Sequence, residues 1–312
     1  MRFLVTGGAG FIGSNLCRSL MSDDYSVACL DDLSTGKYRN IEELESHTNF
    51  EFFNHDLTKP FFPEKIDAIF NLACPASPVH YQYNPIRTLK MGTLAMYNVL
   101  GMAARLEVPI LQASTSEIYG DPSEHPQKES YLGNVNPIGP RACYDEGKRV
   151  AEALCIAYEN YNNVDIRIAR IFNTYGPFMD PQDGRVVSNF IVQALSNNPI
   201  TVYGDGTQTR SFCFVDDLVE GLISLMKSNY KRPVNLGNPD EYSMLQFAEL
   251  VKQKIGSDSE IVFRDLPIDD PKKRCPDISL ANETLDWSPI ISLEEGLQHT
   301  IKWYMNIVDR SK

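Results

Sequence analysis

The chain predicts a doubly wound α/β fold, a parallel sheet covered by helices on both faces, and three observations predict it. Short β-rich runs alternate with longer amphipathic patterns through the first half. A glycine cluster stands between the first of those runs and the first helix. The composition, 43% hydrophobic and 22% charged over 312 residues, is that of an ordinary globular protein with enough chain for a large core. Parallel strands need crossover connections, and helices supply them, so the alternation itself implies both layers.

In chain order the strand candidates are RFLVT, SVACLD, FEFFNHD, IDAIFNL, VPILQAS and VDIRIARI. The first helix is expected from about Phe11. Two long helices, about Pro85 to Arg105 and Cys143 to Tyr161, carry apolar residues three and four apart, so each buries one face and can offer another to a partner subunit. After Ile171 the rhythm becomes irregular: NTYGP, a helix near Val187 to Leu195, PITVYG, a helix near Asp216 to Met226, then PVNLGNP. Residues 1–172 are therefore expected to form one domain. Residues 173–312 are expected to form mainly a smaller mixed α/β lobe, with some segments returning to the first. LEEGLQHTIKWYMN, shortly after Pro289, reads as a closing amphipathic helix.

A net charge of −12 argues against a nucleic-acid or anionic-membrane surface, which would need a basic face. Any anionic ligand must then meet a local cluster of arginines and lysines. The seven cysteines form no CxxC pair and the five histidines no metal-ligand spacing, so reduced thiols and no metal are expected. The apolar start breaks at Gly7 and Gly8, and no stretch reaches the roughly 20 apolar residues that span a bilayer, so a cytoplasmic location is expected.

FLVTGGAGFIG places Gly7, Gly10 and Gly13 directly after a strand and at the start of a helix. A tight turn, close backbone approach to a pyrophosphate and the free N–H groups of a helix N-terminus all call for that arrangement. A glycine-rich turn without a ligand is the alternative. Asp31 ends the second strand where an acid accepts hydrogen bonds from the adenosine ribose. A carboxylate there repels a 2′-phosphate, which selects NAD over NADP and makes the sheet Rossmann-like.

Tyr144 and Lys148 lie four apart on a predicted helix, hence on one face, where an ammonium beside the phenol would favour its ionised form. Following a dinucleotide loop, that pair reads as a general base and the group that tunes it. With TGGAGFIG, NLACPASP, STSEIYGDP, NPIGPRACYDEGKRVAE, ARIFNTYGP, DGRVVSNF, TVYGDGTQTRSF, VNLGNP and KKRCPDI, the chain resembles the extended short-chain dehydrogenase/reductase family over nearly its whole length. Within that family it is similar to the decarboxylases of UDP-glucuronate. Cys74 departs from the pattern, where a serine is more usual.

The resemblance implies Thr115 as hydroxyl partner, Tyr144 as base and Lys148 as its tuning cation, with Glu117 and Arg274 handling the substrate carboxylate. For the cofactor it implies the loop residues Gly7, Gly10, Phe11, Ile12 and Gly13, then Asp31, Asp32, Thr35 and Gly36 near the ribose. Asp56 and Leu57 fall at the adenine, Leu72 and Ala73 beside the pyrophosphate and nicotinamide ribose, and Ala113 and Arg185 nearby. The basic groups that could meet an anionic nucleotide sugar are Lys90, Arg141, Arg185, Arg210 and Arg274, the resemblance adds Asn173, Val187, Thr201 and Tyr203, and Lys272 and Lys273 read as solvated surface charges. The implied activity is NAD-dependent conversion of UDP-glucuronate to UDP-xylose through a 4-keto intermediate, by a homodimer. Release of the 4-keto pentose, 4-epimerisation of a uronate sugar, and non-catalytic NAD sensing are the competing readings.

Overall fold

The computed structural model describes residues 1–266 and 273–310. Seven strands form one parallel sheet: β1 (Arg2–Thr6), β2 (Ser26–Asp31), β3 (Phe50–Asn54), β4 (Ala68–Asn71), β5 (Ile110–Thr115), β6 (Ile166–Ile171) and, later in the chain, Pro233–Leu236. Helix α1 (Phe11–Ser22) follows β1. Between β4 and β5 lie α2 (Pro78–Tyr83), α3 (Pro85–Lys90), a wide π-turn over Met91–Ala95 and α4 (Met96–Leu106), so the long helix expected from Pro85 runs on with one widened turn. Helix α5 (Ala142–Asn162) joins β5 to β6.

The remainder runs β7 (Thr174–Tyr175), α6 (Val186–Leu195), β8 (Ile200–Tyr203), β9 (Thr209–Ser211), β10 (Cys213–Phe214), α7 (Val215–Lys227), β11 (Pro233–Leu236), β12 (Glu241–Ser243), α8 (Met244–Ile255), β13 (Ile261–Arg264), β14 (Lys273–Arg274), α9 (Ser279–Leu285) and α10 (Leu293–Arg310). The large sheet has the order β11-β6-β5-β4-β1-β2-β3. Strand order reverses between β1 and β4, which opens a crevice at their carboxyl ends. Three small sheets, β10-β7, β12-β9-β14 and β13-β8, complete the chain.

Side chains alternate across the sheet, so β1 feeds both of its faces. Phe3 and Val5 join a core with Leu16 and Leu20 of α1 and Leu218 and Leu222 of α7. Leu4 joins a second core with Ile69, Val99, Leu100, Ala151 and Cys155, under α4 and α5. Each fully buried leucine contributes roughly 1.5–3 kcal/mol. The first core also takes in Phe190 of α6, Phe247 of α8 and Tyr304 of α10, which fixes the later segments against the sheet and closes one side of the crevice.

Candidate functional site

A cavity of about 570 Å³ occupies the crevice at the carboxyl ends of the central strands. The glycine turn forms one wall. Gly7 has φ +69°, in the left-handed region, and a Cβ there would meet the backbone of Ala73 at 2.9 Å. A Cβ on Gly13 would lie 2.2 Å from the Gly7 carbonyl oxygen, so the turn and helix pack as closely as backbone allows. Gly10 begins α1 with no side-chain cap, and Phe11, Ile12 and Gly13 line the cavity. An uncapped helix start aimed into a cavity fits the pyrophosphate of a dinucleotide.

Asp31 sits beside that turn and accepts hydrogen bonds from the N–H groups of Ala9 (3.1 Å) and Leu33 (2.8 Å). Burial raises its pKa, and those two bonds oppose the rise. Asp32, Thr35, Leu57, Leu72, Ala73 and Ala113 also line the cavity. Gly36 lies just behind the wall, where a Cβ would meet the Asp31 carboxylate oxygens at 2.8 Å. Asp56 is also off the wall: its carboxylate accepts from the Thr58 N–H and hydroxyl, both 2.9 Å, while its neighbours His55 and Leu57 face the cavity.

β5 delivers Thr115, and the first turns of α5 deliver Tyr144 and Lys148, all three buried. The Lys148 ammonium donates to the Ala113 carbonyl at 2.7 Å and lies 5.8 Å from the Tyr144 ring centre. Burial pushes the Tyr144 hydroxyl well above its ordinary pKa, and Cys74 and Glu117 add to the rise. A Thr115 hydrogen bond and the Arg185 charge oppose it. Spacing alone predicts a phenol eased toward ionisation by its lysine. The protein environment instead favours the neutral phenol, because desolvation of the phenolate outweighs every nearby cation.

Glu117, in the short helical turn Ser116–Tyr119 that follows Thr115, forms ion pairs with both Arg141 and Arg274. Burial by itself would raise the Glu117 carboxyl, but Arg274 and Arg141 prevail and hold it down at about 2. Arg274, 3% exposed, also donates to the Gly120 carbonyl at 3.1 Å. It reaches Glu117 because β14 pairs with β9 in register Arg274 to Arg210. Arg210, Asn173, Arg185, Val187, Thr201 and Tyr203 line the far part of the cavity. Lys273 is exposed, as expected, and Lys272 lies outside the described residues.

Lys90 is exposed at the end of α3 and is not among the residues that line the cavity. Two residues that motif reading passed over do take part. Arg87 of α3 pairs with Asp32 and lies 3.9 Å from Asp56, tying the ends of β2 and β3. Tyr81 of α2 lines the cavity and stacks on Tyr144, with ring centres 5.0 Å apart and planes at 6°. The one available signal was the proline-started helical pattern that holds both.

The fold and this site together define a nucleotide-cofactor enzyme, and a model of the NAD dependent epimerase/dehydratase family matches residues 3–237. The chain belongs to that family. It is 56% identical over 303 residues to UDP-glucuronic acid decarboxylase 1 of Xenopus tropicalis, covering 97% of this chain and 72% of that protein. It is 53% identical over 306 residues to UDP-glucuronic acid decarboxylase 1 of Arabidopsis thaliana, covering 98% and 70%. Among solved structures, UDP-glucuronic acid 4-epimerase from Bacillus cereus, in complex with UDP-glucuronic acid and NAD, matches at TM-score 0.88 and 27% identity, covering 98% of this chain and all of that one. Among the described residues no helix is long and apolar enough to cross a membrane, and no group of His, Cys, Asp and Glu could hold a metal ion.

Proposed function

We propose that this protein decarboxylates UDP-glucuronate to UDP-xylose, holding NAD throughout the cycle. The observation that carries the reading is the Glu117 cluster. One partly buried carboxylate held by two arginines stands beside Thr115 and Tyr144, in a cavity whose other end is the glycine turn. An epimerase of neutral sugars has no use for such a pair, whereas a substrate bearing its own carboxylate can exchange onto Arg141 or Arg274. The curated relatives are named for this activity.

The glycine turn would hold the pyrophosphate, Asp31 and Asp32 the adenosine ribose, and Lys148 the nicotinamide ribose. Bound NAD would supply the hydride acceptor and donor, and in its oxidised form a positive charge against the burial that keeps Tyr144 neutral. Tyr144 takes the proton of the sugar 4-hydroxyl while Thr115 hydrogen-bonds the same oxygen. A ketone at C4 stands β to the carboxylate, so carbon dioxide leaves with its bonding electrons drawn into the carbonyl. Tyr144 and Thr115 then stabilise the enolate oxygen. Arg185, Arg210 and Asn173 hold the diphosphate, and Val187, Thr201 and Tyr203 the uridine. Tyr144 finally returns its proton to the 4-oxygen.

Residues 1–172 then act as the NAD-binding domain and 173–312 mainly as the nucleotide-sugar lobe, with α7 and β11 returned to the sheet. Exposed Ile86, Leu94, Tyr97, Val150 and Tyr161 on or beside the two long helices support a homodimer through them. Seven free cysteines support a reducing, cytoplasmic setting.

Purified protein given UDP-glucuronate should yield carbon dioxide and UDP-xylose with no lasting rise in reduced nicotinamide. UDP-galacturonate as product would make the protein an epimerase, and a 4-keto pentose with stoichiometric reduced cofactor would make it a keto-sugar-releasing decarboxylase.

A further inference from the structure

Decarboxylation leaves one proton to be found. Tyr144 removes a proton from the 4-oxygen and gives the same proton back, so its exchange closes on itself. The carboxylate departs as neutral carbon dioxide, and the electron pair it leaves, shared between C5 and the 4-oxygen, must form a new C5–H bond. Each turnover therefore consumes one proton from outside that exchange. Glu117 is an unsuitable donor, because two guanidinium groups keep it ionised.

Asp145 directly follows Tyr144 in the first turn of α5 and is 5% exposed. Its Oδ1 is buried without a hydrogen-bond partner among the described residues, as are the Tyr81 hydroxyl and the Arg274 Nε. A first-turn acid that served only the helix would face solvent or cap a free N–H. A buried polar oxygen left unpaired calls instead for a bound water or a proton. Tyr81 links Asp145 to the reaction, since its hydroxyl feels the Asp145 charge while its ring stacks on Tyr144 and lines the cavity.

We propose that Asp145 is the proton reservoir for C5: its O–H bond breaks, a water held beside Glu117 passes the proton on, and the enolate electron pair takes it up. Solvent then recharges the Asp145 carboxylate. This rests on the decarboxylase reading above. Asp145 acts through the Glu117 cluster, so it is a positioning residue and not one that touches substrate. The groups that act on it are Glu117 and Glu146, which resist its ionisation, and Arg141 and Arg274, which favour it. Tyr81 and Cys143 stand close enough to feel its charge. Burial is the largest influence, and with Glu117 it lifts the carboxyl to about 7. Two neighbouring carboxyls driven to opposite ends of the scale divide the work between charge and proton supply.

The test is Asp145→Asn in the full-length protein with its bound NAD, with wild type alongside. The variant should still release carbon dioxide from UDP-glucuronate in a first burst. The reduced-nicotinamide absorbance should then persist, and UDP-xylose should form slower by on the order of a hundredfold. Wild-type turnover should fall as pH rises through about 7, where Asp145 loses its proton, and the variant should lack that fall. Asp145→Glu should restore part of the rate. A variant with wild-type rate and pH profile would overturn the proposal, and so would a slower variant that keeps the profile and shows no lasting reduced nicotinamide. Wild type alone gives a second measurement: its reduced-nicotinamide signal should decay more slowly at each step above about pH 7, and a pH-independent decay would sink the idea. Wild type that releases no carbon dioxide would instead defeat the decarboxylase reading.

Discussion

The Arg274 guanidinium meets the Glu117 carboxylate inside the cavity, with Arg274 almost fully withdrawn from solvent and Arg141 held to the same carboxylate. A buried charge with one partner removed costs several times what a surface pair is worth, and a fork donor cannot be replaced by a point charge.

Arg274→Ala should therefore lower kcat/KM for UDP-glucuronate by on the order of a hundredfold or more. Affinity for UDP alone should change little. Steady-state kinetics with calorimetric titration of UDP checks both, and an equal loss in the two would place Arg274 at the nucleotide end.

The same pair makes acid stability predictable. The Glu117 carboxyl is depressed in the folded state from 4.5 to about 2, so its contribution is fully present above about 4.5 and is lost as pH falls toward about 2. Denaturant midpoints measured across that window should fall more steeply for wild type than for Glu117→Gln. Parallel curves would show that the pair does not stabilise the fold.

Tyr144→Phe should abolish turnover by a factor of roughly 10² to 10⁴, with the dinucleotide still bound to the purified protein. The ring remains stacked on Tyr81, so melting should change little. An unchanged rate would remove Tyr144 as the base.

Gly13→Ala forces a Cβ against the Gly7 carbonyl oxygen and should open the turn, at a cost of about 1–3 kcal/mol. The protein should then purify without dinucleotide, as read from its absorbance after denaturation.

Arg210→Ala and Lys90→Ala should separate cleanly. Arg210 lines the cavity, and its loss should raise KM about tenfold or more; Lys90 is exposed off the wall, and its loss should leave KM unchanged.

Much of this was legible in short-range pattern. Six strand runs, the glycine turn and the Tyr144 to Lys148 spacing fall where periodicity and turn chemistry put them, because each depends on the conformation of a few adjacent residues. PVNLGNP was harder. As β11 it pairs with β6 at the edge of the main sheet, and pairing partners are not written in a strand's own sequence. Arg87 and Tyr81 carried no motif of their own and reach the site only because α2 and α3 fold back over the ends of the sheet.

The sequence by itself determined the alternating layers, the dinucleotide turn and the pairing of a tyrosine with a lysine on one helix face, all consequences of backbone geometry over a few residues. Only the tertiary structure decided that Glu117 would lie between Arg141 and Arg274, that Lys90 would face solvent, and that burial would hold Tyr144 neutral. Those outcomes depend on which distant segments share a low-dielectric pocket. Strand order and desolvation set that, and residue spacing does not encode it.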